Sequence, residues 1–190
     1  MDTIVQQLVN GLTIGSFYAL VALGYTMVYG VIRLINFAHG DLFMVGAFAG
    51  FTLLGALGSL ATQMSPALLI PLVFIIPMAV VGLMGAGIER LAYRPLRRAP
   101  RLSPLITAIG VSLALEVAAE LIWGATFQVF PSVLPNTSWH FGRIVINATQ
   151  ALVLPVTLAL MIALYLFVNR TMLGKAMRAI AIDQDTARMM

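Results

Sequence analysis

Charge is absent from long stretches of this chain. Residues 3–32 carry none, and the next charge-free run, residues 42–88, is longer still. A helix rises about 1.5 Å per residue, so roughly 20 apolar residues cross the hydrocarbon core of a bilayer. The first run is enough for one long or tilted span. The second is enough for two, divided at Gln63-Met64-Ser65-Pro66, where Pro66 suits the first turn of a helix. Leu105–Trp123 makes a fourth span, interrupted by Glu116 and Glu120, and Ile144–Asn169 holds a fifth. The pattern predicts an all-α polytopic membrane helical bundle. Its spans fall at about 4–32, 42–61, 67–87, 104–123 and 148–168, within a single transmembrane domain over residues 1–190.

Composition makes lipid the solvent. The chain is 61% hydrophobic and 9% charged, with mean hydropathy +0.98, whereas soluble domains carry about a quarter charged residues. The basic residues sit in two places: Arg90, Arg94, Arg97, Arg98 and Arg101 between spans three and four, and Arg170, Lys175, Arg178 and Arg188 after span five. Basic loops stay in the cytoplasm. Five spans put both segments on that side, with the N-terminus outside and the C-terminus cytoplasmic. The net charge of +4 thus reports membrane orientation and is no sign of a nucleic-acid partner. The stretch Glu89–Arg98 also suits anionic lipid headgroups. No basic residue precedes the first apolar run, so that run is expected to be a retained helix, not a cleaved signal. The chain has no cysteine, which excludes disulfides, thiolate metal sites and thiol nucleophiles. Gly11 with Gly15, Gly46 with Gly50, and the group Gly82, Gly85 and Gly87 have the spacing that lets helices approach closely in lipid.

Three polar groups stand out against this background. Arg33-Leu34-Ile35-Asn36-Phe37-Ala38-His39-Gly40-Asp41 separates two apolar runs. Asn36, His39 and Asp41 either line a solute path or form an ordinary inner loop in which Asp41 caps span two. Glu116 and Glu120, four apart, share one helix face. They either relay protons or sit in the bundle and at the outer interface, near Trp123. In the tail, Leu173, Met177 and Ile180 recur at helical spacing while Arg178 occupies another face. Such a helix docks into a groove on a soluble partner or lies on the membrane. One histidine beside Gly-Asp lacks the paired-histidine motif of a metalloprotease. No phosphate-binding loop with a Lys-Ser/Thr ending is present, so the chain does not itself hydrolyse ATP, and no cofactor or metal is implied.

Together the segments Asn10-Gly11-Leu12-Thr13-Ile14-Gly15-Ser16-Phe17-Tyr18-Ala19-Leu20, Gly24-Tyr25-Thr26-Met27-Val28-Tyr29-Gly30 and Ile35-Asn36-Phe37-Ala38-His39-Gly40-Asp41 closely resemble the branched-chain amino acid ABC transporter permeases of the LivH type. Ile88-Glu89-Arg90 with Tyr93-Arg94-Pro95-Leu96-Arg97 is similar to that family's inner loop, and Gly174-Lys175-Ala176-Met177-Arg178-Ala179 with Asp183 and Ala187 to its coupling segment, here residues 170–190. The resemblance implies a non-enzymatic subunit of a bacterial inner-membrane importer. It works with a sister permease, two cytoplasmic ATPases and a periplasmic substrate-binding protein. Gly174, Arg178, Ala179 and Asp183 would then lie where the ATPase docks, and Asn36, His39 and Asp41 near the path. Permeases of this type run well beyond this chain's length, so it is expected to be a fragment or a truncated product. The same machinery used for urea or short amides, a proton-coupled carrier using Glu116 and Glu120, and a non-transporting interaction subunit are the alternatives.

Overall fold

The computed structural model describes residues 2–32, 36–100, 102–131, 137–141 and 144–182. Arg33, Arg101, Arg143, Asp183 and Arg188 lie outside the described residues. The helices are α1 (Asp2–Ile32), α2 (His39–Leu57), the short α3 (Ser59–Gln63), α4 (Pro66–Ile88), α5 (Leu102–Trp123), α6 (Ala148–Arg170) and α7 (Met172–Ile182). A two-stranded antiparallel hairpin, β1 (Ser138–Phe141) and β2 (Ile144–Asn147), precedes α6. Among the described residues, five helical segments are long and apolar enough to cross a membrane: Thr3–Gly30, His39–Leu57, Pro66–Leu96, Leu102–Trp123 and Ala148–Arg170.

Two boundaries differ from the sequence reading. The second span stops at Leu57, because Gly58 adopts φ 48°, a conformation that costs glycine little and other residues more. The third does not stop near residue 87. It runs on through a π-helical turn, Glu89–Tyr93, into a 3₁₀ turn, Arg94–Arg98. Pro66 opens α4, with the preceding Ser65 extended.

The contacts divide the chain into two compact units. The first holds α1, the hairpin, α6 and α7. Here α1 and α6 run parallel. Asn10 meets Gln150 near their N-termini, and Thr26 and Met27 share a cavity with Val168 and Asn169 near their C-termini. With α1 and the three spans that follow it the chain crosses a membrane four times before α6, so α6 starts on the side where α1 starts, and a parallel pair is what five alternating spans require. The buried residues of these helices include small hydroxyl side chains, Thr13, Ser16 and Thr157. Thr13 and Ser16 satisfy themselves on the carbonyls of Val9 (2.9 Å) and Leu12 (2.7 Å), so they pack between helices without an orphan donor.

The second unit holds α2, α3, α4, the two irregular turns, α5 and the segment following α5. α2 and α4 are antiparallel: a Cβ added to Gly46 would lie 3.3 Å from Val81, and one on Gly50 would lie 3.7 Å from Pro77. Gly46 and Gly50 are thus the pair whose spacing serves close packing, whereas Gly11 and Gly15 face open space. α5 runs parallel to α2, since Asp41 pairs with Ser112 and Thr52 with Trp123. Buried apolar residues are few and small to medium: Ala38, Val45, Leu54, Leu69, Ala108 and Ala119. Large apolar side chains point outward, Leu91 (81%) and Leu121 (82%) among them. Water would penalise such a surface, while acyl chains solvate it.

Candidate functional site

The 36–41 element is a tied turn. His39 opens α2 and its N–H donates to the Asn36 carbonyl (3.2 Å). Ala38 occupies the cap position, supplies no side-chain cap and is completely buried. Asp41 is therefore not the cap of this helix, as the loop reading supposed. It lies in the first turn, and its carboxylate accepts a hydrogen bond from the Ser112 hydroxyl of α5. Asn36 Oδ1 accepts from the Tyr93 hydroxyl at 2.8 Å, and Tyr93 ends the π-helical turn. π-turns insert an extra residue and re-aim side chains, often at functional sites. Here the turn delivers Tyr93 to Asn36. Tyr93→Phe is expected to destabilise the second unit by about 1 kcal/mol, the net worth of one hydrogen bond. Steric-trap unfolding in bicelles measures this; an unchanged midpoint would mean that Tyr93 does not hold the turn.

The two glutamates open onto a cavity of about 510 Å³ that belongs wholly to the second unit. Its walls include Met44, Ala47, Phe48 and Phe51 from α2, Glu116 and Glu120 from α5, and Gly124 to Gln128 with Phe130 from the segment that follows. Gly124 ends α5 at φ 86°, its N–H on the Glu120 carbonyl (2.8 Å), a left-handed helix stop that favours glycine. Gln128 Nε2 then donates to the Trp123 carbonyl (3.1 Å), and Phe130 lies against Gly50, 3.6 Å from where a Cβ would stand. Trp123 stacks on Phe48 (centroids 4.8 Å apart, 14° between planes) and its Nε1 donates to Thr52 Oγ1 at 2.8 Å. Stacking and indole hydrogen bond together fix α5 against α2 at this end.

α7 turns back on the first unit through a tight corner. Thr171 Oγ1 donates to the Phe167 carbonyl (2.6 Å) and accepts from the Gly174 N–H (3.0 Å), so it caps α7 while closing α6. Gly174 is buried, and a Cβ there would overlap the Val168 carbonyl. Arg178 Nη1 donates to Asn169 Oδ1 (3.0 Å) and Nη2 reaches the Asn169 carbonyl (3.5 Å), a favourable place for a cation at a helix C-terminus. The α7 stripe differs from the expected one. Met177 and Ala181 line a cavity of about 450 Å³ with Leu23, Met27 and Leu164, whereas Leu173 and Ile180 face outward. Ala179 is half-buried.

At the opposite end of the same unit lies a network the sequence reading missed. The Gln6 amide pairs with the Val145 backbone in both directions, accepting from its N–H (2.8 Å) and donating to its carbonyl (3.0 Å). Gln6 and Gln150 both donate to Asn10 Oδ1 (3.2 and 3.0 Å), and Gln150 Oε1 accepts from the Asn147 N–H (3.1 Å) in a capping box at α6. Gln6 acts as a partial third strand for the hairpin. The signal available was three amide side chains at the ends of apolar runs, where bare amides are costly in lipid.

Parallel and antiparallel apolar helices, interrupted by a tied polar turn and ended by an amphipathic helix folded back through a capped corner, define a multi-pass α-helical membrane protein. Comparison carries this further. The chain belongs to the family described as branched-chain amino acid transport system / permease component, whose model matches residues 7–190. It is 44% identical over 183 residues to the high-affinity branched-chain amino acid transport system permease protein BraD of Pseudomonas aeruginosa, covering 94% of this chain and 59% of that protein. It is 40% identical to the corresponding permease protein LivH of Salmonella typhimurium and 39% to that of Escherichia coli K12, in each case over 97% of this chain and 61% of the relative. The chain thus spans about three fifths of the length of these curated relatives. No solved structure matches.

Proposed function

We propose that the chain is a permease subunit of an ATP-driven importer of branched-chain or related neutral amino acids in a bacterial inner membrane. It forms part of the translocation path beside a sister permease, receives solute from a periplasmic binding protein and is driven by two cytoplasmic ATPases. The N-terminus and hairpin face outward, and α7 faces the cytoplasm. The observation that carries this reading is α7 itself. It is an amphipathic helix that α6 presents through a rigid corner, with Leu173 and Ile180 outward beside Lys175, in a family of transport permeases. A helix with one face seated and the other bare suits insertion into a groove on a partner. Arg178 braces that helix on α6, so Gly174, Arg178, Ala179 and Asp183 transmit ATPase movement into α6. Asn36, His39 and Asp41 hold the polar turn that shapes the path. A urea, short-amide or proton-coupled reading has no support among these relatives.

Uptake of radiolabelled leucine into vesicles carrying the assembled importer tests this. Uptake is expected only with ATPase subunits and ATP. Uptake that persists without any ATPase would overturn the reading.

A further inference from the structure

We propose that the cavity between α2, the last turns of α5 and residues 124–130 binds a primary ammonium group, held between the Glu116 and Glu120 carboxylates and the rings of Phe48, Phe51 and Phe130. The identity of the natural solute, an aliphatic amino acid bound through its α-ammonium, rests on the transport reading above; the ammonium preference does not.

The argument begins with cost. Glu116 and Glu120 sit on a helix that spans the membrane, Leu102–Trp123, and both are exposed to the cavity. A charge near the centre of a membrane helix costs about 2.5–3.5 kcal/mol on insertion scales and less toward its ends; Glu116 and Glu120 lie in the last turns of α5, so each carries part of that cost, and two on one face repel each other. A lipid-facing position would leave that cost uncompensated. A water-filled cleft occupied by a cation offsets it. The cavity's volume of about 510 Å³ falls within the range of small-molecule sites, roughly 300–1,000 Å³, and is large enough for a leucine-sized molecule.

The lining then selects the ligand. The charged groups among the lining residues are the two carboxylates, so the complementary ligand is cationic. Aromatic faces beside a carboxylate favour ammonium over a strongly hydrated metal ion, because cation–π attraction works on a partly desolvated organic cation. Met44 and Ala47, with the Phe rings, make an apolar wall on α2 facing the cavity, suited to a branched aliphatic chain. The wall is also rigid where it matters: Phe48 is stacked by Trp123, and Phe130 is seated against Gly50. Among the described lining residues no cation meets the ligand's own carboxylate, so it stays toward the open side.

The experiment uses the chain in lipid nanodiscs with radiolabelled leucine and radiolabelled isoamylamine as probes, and unlabelled isoamylamine (the ammonium without the carboxylate) and isocaproate (the carboxylate without the ammonium) as competitors. Isoamylamine is expected to displace leucine within about tenfold of leucine's own potency, and isocaproate not to displace it at about a hundredfold higher concentration. Glu116→Gln/Glu120→Gln is expected to weaken binding of leucine and isoamylamine at least about tenfold. Ala47→Phe fills the cavity with both carboxylates in place and is expected to do the same, which guards against a variant that merely misfolds. Equal competition by acid and amine, unchanged binding in the double variant, or no saturable binding of either probe would overturn the proposal. Isoamylamine binding that needs the glutamates without leucine binding keeps the ammonium site and removes the amino-acid reading. Leucine import by the assembled transporter that is indifferent to the double variant removes the site and keeps the transport reading.

Discussion

Replacing Gly174 with alanine, a single added methyl group, is expected to abolish the α6–α7 corner and reduce leucine uptake by the assembled importer to about a tenth or less of normal. Most glycine-to-alanine changes in helices are mild or stabilising, because alanine is the better helix former. Here the added Cβ would meet backbone: the Val168 carbonyl inside contact distance and the Phe167 carbonyl at 2.5 Å. Backbone at the end of a spanning helix cannot rotate aside as a long side chain would. Overpacking of this kind costs about 1–3 kcal/mol and occasionally more, and α7 can escape it by swinging off the helix. Its remaining ties, the Thr171 cap and the Arg178–Asn169 contact, are worth only about 1–3 kcal/mol each. The chain has no cysteine, so spin labels on cysteines introduced at Tyr165 and Ile180, both exposed, report the corner directly. A single narrow distance in the parent and a broad distribution in Gly174→Ala is the expected pair of results. A narrow distribution in both would mean the corner tolerates the methyl group and the close approach has been overestimated.

The second large effect is expected at Arg178. Arg178→Glu places an anion beside the Asn169 carbonyl, at the negative end of α6, where a cation is favoured. It also reverses charge on the helix proposed to meet the ATPase. Co-purification of the ATPase subunits is expected to fall by about tenfold or more, with Arg178→Lys intermediate, because lysine keeps the charge but not the forked contact to one asparagine. Normal co-purification of Arg178→Glu would place the docking surface elsewhere. The spin-label distance separates two causes. If Arg178→Glu loosens the corner as Gly174→Ala does, the arginine acts by positioning α7; if the corner stays tight while the ATPase is lost, the side chain itself meets the partner.

The fold was largely legible because membrane spans advertise themselves in one dimension. Long apolar runs mark five helices, four of the runs free of charge and the fourth span carrying Glu116 and Glu120, and Ser65-Pro66 marks the start of α4. What stayed hidden is what the chain brings together over distance. Tyr93 and Asn36 are 57 residues apart, and Ser112 and Asp41 are 71 apart; Asn36 and Asp41 stand out in the sequence, but nothing near them names a partner so far along the chain. The continuation of α4 past Ile88 was obscured by its arginines, which read as a loop because they mark orientation so strongly. Glu89 to Arg98 nevertheless stay helical, as π and 3₁₀ turns, until Ala99 becomes extended. The hairpin was readable in principle. Ser138-Trp139-His140-Phe141 and Ile144-Val145-Ile146-Asn147 are two strand-like runs separated by Gly142-Arg143, a length and composition typical of a tight turn. A search for spans passes over eight such residues. For the α7 stripe, the period was right and the face was wrong. Gly174 fixes which side is buried, and a glycine carries no hydrophobic signal.

The parallel pairing of α1 with α6 also constrains how the protein is made. Asn10 and its partner Gln150 are 140 residues apart. At translation rates of about 5–20 residues per second, α1 leaves the ribosome on the order of ten seconds before its neighbour exists. During that interval the small hydroxyl face of Thr13 and Ser16 has no α6 to pack on, and the Gln6 amide has no hairpin to clasp. The second unit, continuous from Ile35 to Val133, suffers no such delay and can assemble while the nascent chain is still lengthening. Within the first unit, α1 therefore waits longest for its partner. Until then the Thr13 and Ser16 hydroxyls are held by their own helix, while the amides of Gln6 and Asn10 await the hairpin and α6, and an interruption in synthesis before α6 emerges would leave them without those partners.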